Sequence, residues 1–115
     1  MTDVIILLST FPDIAAARTA VRTLVEERLV ACGNIMPGVE SIYRWQGAVE
    51  TSMEVMVIFK TTADSAEAAQ ARLRELHPYE VPEILRLPLV GGWPPYLDWV
   101  RDSTSSPRTT PRESA

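Results

Sequence analysis

The 115-residue sequence has one histidine, His77, one cysteine, Cys32, and no long apolar run. A lone cysteine excludes an internal disulfide and fits a reducing compartment, and the first residues lack the charged region and cleavage site of a signal peptide. A membrane-spanning helix needs about 20 predominantly apolar residues, and charged or polar residues interrupt every candidate stretch here. We therefore expect a cytoplasmic protein that has no membrane partner.

Basic residues are also scarce. The 11 Lys and Arg residues are outnumbered by 15 Asp and Glu residues, so the formal net charge is -4 and the isoelectric point is near 4.9. A nucleic-acid-binding domain typically has a basic face and an isoelectric point above about 9. The sequence also lacks a basic stripe with interleaved aromatic residues, so we expect no nucleic-acid partner.

The chain length fits one domain with a single core. We place that domain at residues 1–102. Residues 103–115 are rich in Ser, Thr and Pro and offer no apolar face. Ordering them would cost conformational entropy without compensating burial. We therefore expect a disordered tail at 103–115.

The spacing of apolar residues changes along the chain between that of strands and that of helices. Two-residue alternation and short apolar runs predict strands, and three-and-four spacing predicts helices. Pro37-Gly38 predicts a bulge or bend, Gln46-Gly47 a hairpin turn, and residues 64–67 a capping box that starts a helix. The predicted order is a strand at 4–8, a helix at 13–30, strands at 31–45 and 48–61, a helix from 64 to 76 or 77, a strand at 84–90 and a short helix at 94–100.

This order predicts the α+β, ferredoxin-like βαββαβ fold with an added C-terminal helix, in which both long helices cover one face of an antiparallel sheet. The other face is then bare. The strands at 4–8 and 55–59 are apolar on both faces, and a bare face would expose a large apolar patch. We therefore expect an oligomer that buries the second face.

The segment from His77 to Leu85 places the histidine, two carboxylates and a phenol around two prolines, just before a predicted strand. Proline fixes its own φ and favours extended geometry in the residue before it, so Pro78 and Pro82 should hold the polar side chains in set directions. One interpretation is a ligand site. The other is a plain helix-to-strand connector, in which His77 complements the negative end of the helix dipole.

Several spaced motifs occur along the chain. In order, they are ACGNIMPG at 31–38, SIYRWQG at 41–47, KTT at 60–62, HPYEVPE at 77–83 and YLDW at 96–99. In this order they resemble the CutA divalent-cation tolerance family, and the resemblance runs from about Val4 to Val100.

The resemblance implies a homotrimer of ferredoxin-like subunits, similar in architecture to the PII signalling proteins, with copper or other divalent cations as ligands. Some members have a cysteine and a histidine where this chain has Ser9 and Leu76, but Glu83 matches. The remaining metal candidates are His77, Glu80 and Glu83. An imidazole with oxygen donors suits Zn²⁺ or Cu²⁺. The chain lacks the paired cysteines or histidines of a structural zinc site.

A second candidate site is a ligand-binding cleft on the central hairpin. Strand parity places Tyr43 beside Trp45 and places Glu54 on the same face as Lys60, and we add Tyr79 from the turn. With aromatic walls, an acid and an ammonium, these five residues suit a small polar ligand between subunits. The alternative is an interface core for the aromatic residues and an ordinary ion pair for Glu54 and Lys60.

An enzyme is not expected. An acylphosphatase on this fold would need a glycine-rich phosphate loop with an arginine after the first strand, but residues 9–13 include Asp13 instead. His77 also has no nucleophile partner that the sequence reveals. The sequence therefore predicts a trimeric cytoplasmic divalent-cation-binding protein involved in metal-ion tolerance. The alternative is a PII-like small-ligand-binding or protein-interaction scaffold without a physiological metal.

Overall fold

The computed structural model describes residues 1–104. Its elements follow the predicted order. They are β1 (Val4–Phe11), α1 (Ile14–Glu26), β2 (Cys32–Trp45), β3 (Ala48–Thr62), α2 (Ala63–Leu76), β4 (Ile84–Pro88) and α3 (Pro94–Ser103). Of the predicted tail at 103–115, Ser103 ends α3 and residues 105–115 lie outside the described residues.

The four strands form one antiparallel sheet in the order β2-β3-β1-β4. This topology confirms the ferredoxin-like prediction. Odd-numbered residues of β3 are buried from Val55 to Phe59 and contribute to the core packed under α1 and α2. Successive residues of a strand point to opposite faces. The even-numbered residues of β3 therefore lie on the second face, which we call the open face.

The main core lies between the sheet and the two long helices. Phe11 and Phe59 are its largest fully buried side chains. Small residues let the helices approach the sheet, and Gly33 shows how closely. An added Cβ at Gly33 would lie 3.0 Å from both Cγ atoms of Val21 on α1. The buried members of this core are Leu7, Phe11, Ala17, Ala20, Leu24, Val30, Val55, Val57, Phe59, Ala69 and Leu73.

Helix α1 begins where predicted but ends earlier than predicted. The Asp13 side chain caps it by accepting a 2.8 Å hydrogen bond from the Ala16 amide. Arg28 adopts a left-handed φ of 61°, and the Leu29 amide bonds back to the Leu24 carbonyl at 3.0 Å. The left-handed Arg28 and the bond from Leu29 to Leu24 are features of a Schellman motif, which stops the helix. The periodicity prediction of a helix to residue 30 was wrong because Leu29 and Val30 belong to the connector, although Val30 still joins the core.

Helix α2 starts one residue before the predicted capping box. Its N-cap is Thr62, whose side chain makes no capping hydrogen bond. The Ala63 amide instead donates a 2.7 Å bond to the Asp3 carbonyl at the start of β1. The first amide of α2 is therefore satisfied by a contact with a distant part of the chain, whereas the sequence predicted a local capping box at 64–67. The predicted end at Leu76 is confirmed.

The β2–β3 hairpin has both irregularities that the sequence predicts. The register shifts between Met36 and Val39, where Gly38 has φ of 83°. Gln46 and Gly47 form the two-residue turn, with φ of 51° and 86°, and such paired positive values match the twist of a hairpin. The pairing of β1 with β3 ends at Val55, so the hairpin extends beyond β1.

The open face is partly covered by α3. Leu97 and Val100 of α3 pack with Val4 and Ala31 in a second small core. Much of the rest of the face is apolar, and Leu85 remains 52% exposed. Since residues paired across antiparallel strands point to the same side, the register places seven apolar residues here. They are Ile6, Leu8, Met36, Met56, Ile58, Leu85 and Leu87.

None of the helices within residues 1–104 is both long enough and apolar enough to span a membrane.

Candidate functional site

The His77 ring joins the end of α2 to the end of β1. The side chain is only 7% exposed. Its Nδ1 accepts a 3.1 Å hydrogen bond from the Tyr79 amide, so the proton lies on Nε2, which donates a 2.8 Å bond to the Thr10 carbonyl. The ring also stacks on Phe11 with centroids 4.5 Å apart. His77 therefore holds the following turn against the sheet through both of its nitrogens.

The surroundings of His77 favour its neutral form. Burial is the main cause that lowers its pKa below 6.5, and the nearby Arg74 charge acts in the same direction. The Thr10 carbonyl and the Glu54 carboxylate act in the opposite direction. A neutral ring does not complement a helix dipole as a cation would. His77 is therefore held by its hydrogen bonds with Thr10 and Tyr79, rather than by complementing the dipole of α2.

The predicted metal ligands His77, Glu80 and Glu83 are not gathered into a metal site within one chain. Glu80 and Glu83 are exposed on the turn, whereas both nitrogens of His77 are already bonded. Nowhere in residues 1–104 do three or more His, Cys, Asp or Glu side chains form a group that could hold a metal ion. Within a single chain, these donors do not fit a Zn²⁺ or Cu²⁺ centre.

Tyr79 and Glu54 do come together. The Tyr79 hydroxyl donates a 2.7 Å hydrogen bond to Glu54 Oε2. Burial, followed by the bond to Glu54, raises the Tyr79 pKa far above its usual value, and Tyr43 lies close enough to act in the same direction. We call Tyr43, Glu54 and Tyr79 the tyrosine cluster. Trp45 lies further along the hairpin, exposed beside the turn.

Lys60 does not join the tyrosine cluster. It shares a strand face with Glu54, as parity predicts, but six residues at about 3.3 Å each separate the two by about 20 Å. Glu54 and Lys60 of one chain are therefore too far apart to form an ion pair. Lys60 Nζ instead donates a hydrogen bond to Asn34 Oδ1. The structure thus brings Tyr43, Glu54 and Tyr79 together and leaves Lys60 and Trp45 apart from them.

The surroundings of Lys60 form a second polar group on the open face. Cys32 lies directly opposite Lys60 in the strand register, and its sulfur is 3.7 Å from the Tyr96 hydroxyl. Burial, with a contribution from Cys32, raises the pKa of Tyr96 to about 12. We call Cys32, Asn34, Lys60 and Tyr96 the lysine cluster.

Sequence reasoning missed the lysine cluster as a unit. Extending the turn register without a bulge places Lys60 opposite Gly33 and places Cys32 opposite Thr61. The bulge shifts the pairing by one residue and brings Cys32 opposite Lys60. The Pro37-Gly38 signal was visible in the sequence, and a one-residue shift across it would have found the pair.

Comparisons with known proteins agree on one family. A family model described as CutA1 divalent ion tolerance protein matches residues 5–103. The chain is 48% identical to a divalent-cation tolerance protein CutA from Thermus thermophilus, over 86% of this chain and 96% of that protein. It is 38% identical to a chloroplastic CutA from Arabidopsis thaliana over 87% of this chain, but spans only 55% of that longer protein.

Solved structures give the same result. The crystal structure of CutA from Xylella fastidiosa superposes with a TM-score of 0.88 at 42% identity, covering 90% of this chain and all of that one (100%). The divalent cation tolerance protein Cut A1 from Thermus thermophilus gives a TM-score of 0.86 at 47% identity, covering 89% of this chain and 99% of that one. The fold is therefore shared over nearly all of the described residues.

Proposed function

This chain belongs to the CutA divalent-cation tolerance family, and from that premise we propose that it is a homotrimeric, cytoplasmic divalent-cation-binding protein that acts in metal-ion tolerance. Copper(II) or zinc is the proposed cation, and no catalysed reaction is required. The observation that carries the proposal is the pairing of an apolar open sheet face with a turn that presents two exposed carboxylates.

The open face supports the proposed assembly. Of its seven apolar side chains, Met36, Leu85 and Leu87 are 37%, 52% and 38% exposed, and the other four are half-buried. Fully burying one such side chain contributes about 1.5–3 kcal/mol. Several of them across three subunits would outweigh a substantial cost of association. A closed trimer covers each face without leaving an open end.

The turn after α2 supports the proposed cation site. Glu80 and Glu83 project from a segment that His77 holds through two hydrogen bonds, so their backbone positions are defined. Two carboxylates from one chain make an incomplete set for Zn²⁺, which prefers four ligands that include nitrogen or sulfur. We propose that assembly supplies the remaining donors. Direct ligation by His77 would require the ring to release the Tyr79 amide.

Native mass spectrometry during a titration with Cu²⁺, and separately with Zn²⁺, tests both parts. We expect a trimer that takes up one metal per subunit at micromolar concentration. Glu83→Gln and Glu80→Gln should weaken uptake and leave the trimer intact, whereas the matched control Glu26→Gln, at an exposed position of α1, should behave as the unmodified protein. A trimer that stays bare would contradict the cation site, and a monomer would contradict the shared sheet face.

The tyrosine cluster favours a second candidate function, a PII-like scaffold that binds a small polar ligand or a protein and has no physiological metal. A carboxylate and a phenol that are already hydrogen-bonded beside an exposed aromatic arm form a surface suited to such a ligand. Under this alternative, Tyr79→Phe changes ligand or partner binding, and the Glu83→Gln variant keeps it.

A further inference from the structure

The lysine cluster contains a charge in an apolar setting. Lys60 is half-buried on the open face, with Ile6 opposite it on β1 and Cys32 opposite it on β2. Ile58 precedes it on the same face. In the single chain its hydrogen bond to Asn34 is exposed to solvent. The proposed trimer would cover this face, and an ammonium group taken out of water is costly unless a negative charge accompanies it. The proposed trimer therefore requires a partner for this charge.

The described chain supplies no negative charge for Lys60. Within residues 1–104, the carboxylate pairs belong to Arg72 and Arg101, and none involves Lys60. Its hydrogen-bond partner, Asn34 Oδ1, is neutral. An ammonium group has three donors, so two remain for another acceptor. Lys60 is thus a cation with unused donors on a surface that the proposed trimer would cover.

Neighbouring groups add donors rather than acceptors. The Asn34 amide has an NH₂ group as well as the oxygen that Lys60 uses. The Tyr96 hydroxyl is protonated at neutral pH, as an ordinary tyrosine is, so it can donate. The Cys32 thiol, which contacts the Tyr96 hydroxyl, is a weak donor. The register pairs Cys32 with Lys60 and the Cys32 sulfur contacts Tyr96, so these donors lie in one region of the open face, and donors beside a cation suit an anion with several oxygen atoms.

We propose that the lysine cluster binds a small oxyanion of the carboxylate or phosphate class, whose charge neutralises Lys60 on the open face. The site lies at the α3 end of the sheet, about 20 Å along β3 from Glu54. It is therefore separate from both the tyrosine cluster and the turn that carries Glu80 and Glu83. The neutralising role rests on the proposed trimer, whereas the donor arrangement belongs to a single chain.

Calorimetric titration of the full chain with sodium phosphate, and separately with sodium acetate, at constant ionic strength tests the proposal. We expect saturable binding of at least one of the two anions. Lys60→Met removes the charge and keeps the length of the side chain, and it should weaken binding about tenfold or more, as expected for the loss of one charge-assisted hydrogen bond. Arg18→Met, at an exposed position of α1, is the matched charge control and should bind as the unmodified protein does.

Tyr96→Phe provides a second variant if Lys60→Met fails to fold. It removes one hydroxyl and keeps the ring that lies 5.6 Å from Trp99, and it should also weaken binding. The proposal is overturned if the unmodified protein binds neither anion, or if both variants bind as tightly as the control.

Light scattering in the same samples separates this proposal from the trimer. If the protein is a monomer and binds phosphate or acetate through Lys60, the result would contradict the proposed trimer and support the oxyanion site. A trimer that binds neither anion, and that loses subunits in Lys60→Met, would show that a carboxylate of a neighbouring subunit neutralises Lys60. That result would overturn the proposal of a free oxyanion.

Discussion

Replacing His77 by Phe should destabilise the protein and also change how its stability depends on pH. Phe keeps an aromatic ring against Phe11 but loses both hydrogen bonds that His77 makes, to the Thr10 carbonyl and from the Tyr79 amide. Each such bond contributes about 1 kcal/mol net, and a buried partner left unsatisfied costs about 1–3 kcal/mol. We therefore expect a loss of about 2–4 kcal/mol at pH 7.5.

The sign of the pH effect follows from the lowered pKa of His77. In the unfolded chain the imidazole takes up a proton near pH 6.5, whereas in the folded chain it takes one up only at lower pH. The stabilisation is therefore fully present above pH 6.5 and decreases as the pH falls from 6.5 toward the folded-state pKa. Protonation of Nδ1 would also break its bond from the Tyr79 amide.

Urea unfolding at pH 7.5, 6.5 and 5.5 measures both effects, with a chelator present and at one protein concentration because association adds to apparent stability. The difference between the unmodified protein and His77→Phe should shrink as the pH falls. His77→Asn, which offers an acceptor near the Nδ1 position, should recover part of the loss. A difference that stays constant with pH, or grows toward pH 5.5, would refute the assignment of a neutral, doubly bonded ring.

Three further changes test the packing and the polar contacts. Ser9 has a fully buried hydroxyl for which residues 1–104 supply no hydrogen-bond partner. Ser9→Ala should therefore raise the free energy of unfolding by about 1 kcal/mol, measured by urea denaturation, and a loss would indicate that the hydroxyl is bonded. Tyr79→Phe should lower it by about 1–2 kcal/mol through loss of the bond to Glu54, and Glu54→Gln, which keeps an acceptor, should cost less. Gly33→Ala should cost about 1–3 kcal/mol by overpacking against Val21, and a second change of Val21 to Ala should restore part of it in a double-mutant cycle.

The fold could be predicted because its signals are local. Two-residue and three-and-four apolar spacing identified all seven elements, and Gln46-Gly47 fixed the hairpin turn. The wrong end of α1 depends on the local left-handed turn at Arg28, whereas the wrong start of α2 depends on a contact distant in sequence. The start of α2 is satisfied by the Asp3 carbonyl, and the capping-box pattern at 64–67 carries no information about a carbonyl some 60 residues earlier.

The candidate sites could be predicted only in part, because strand parity gives the face of a residue and not its distance. Glu54 and Lys60 share a face, but the length of β3 separates them. Tyr79 meets Glu54 because the turn after α2 folds back over the end of the sheet, a path that no pattern in the turn specifies. Asn34 and Tyr96 could be assigned to the lysine cluster only when the strand register and the position of α3 were known.

The part of the β2–β3 hairpin beyond the bulge should depend on the proposed trimer for its order. Residues 48–54 of β3 pair only with β2, and a two-stranded ribbon alone is marginally stable in water. Its apolar side chains Ile42, Val49 and Met53 are 67%, 64% and 62% exposed within the chain, so in the proposed trimer the neighbours, rather than the arm's own subunit, would keep it ordered. Amide hydrogen exchange along this arm would then report subunit separation and speed up on dilution, while the helix-covered core stays protected.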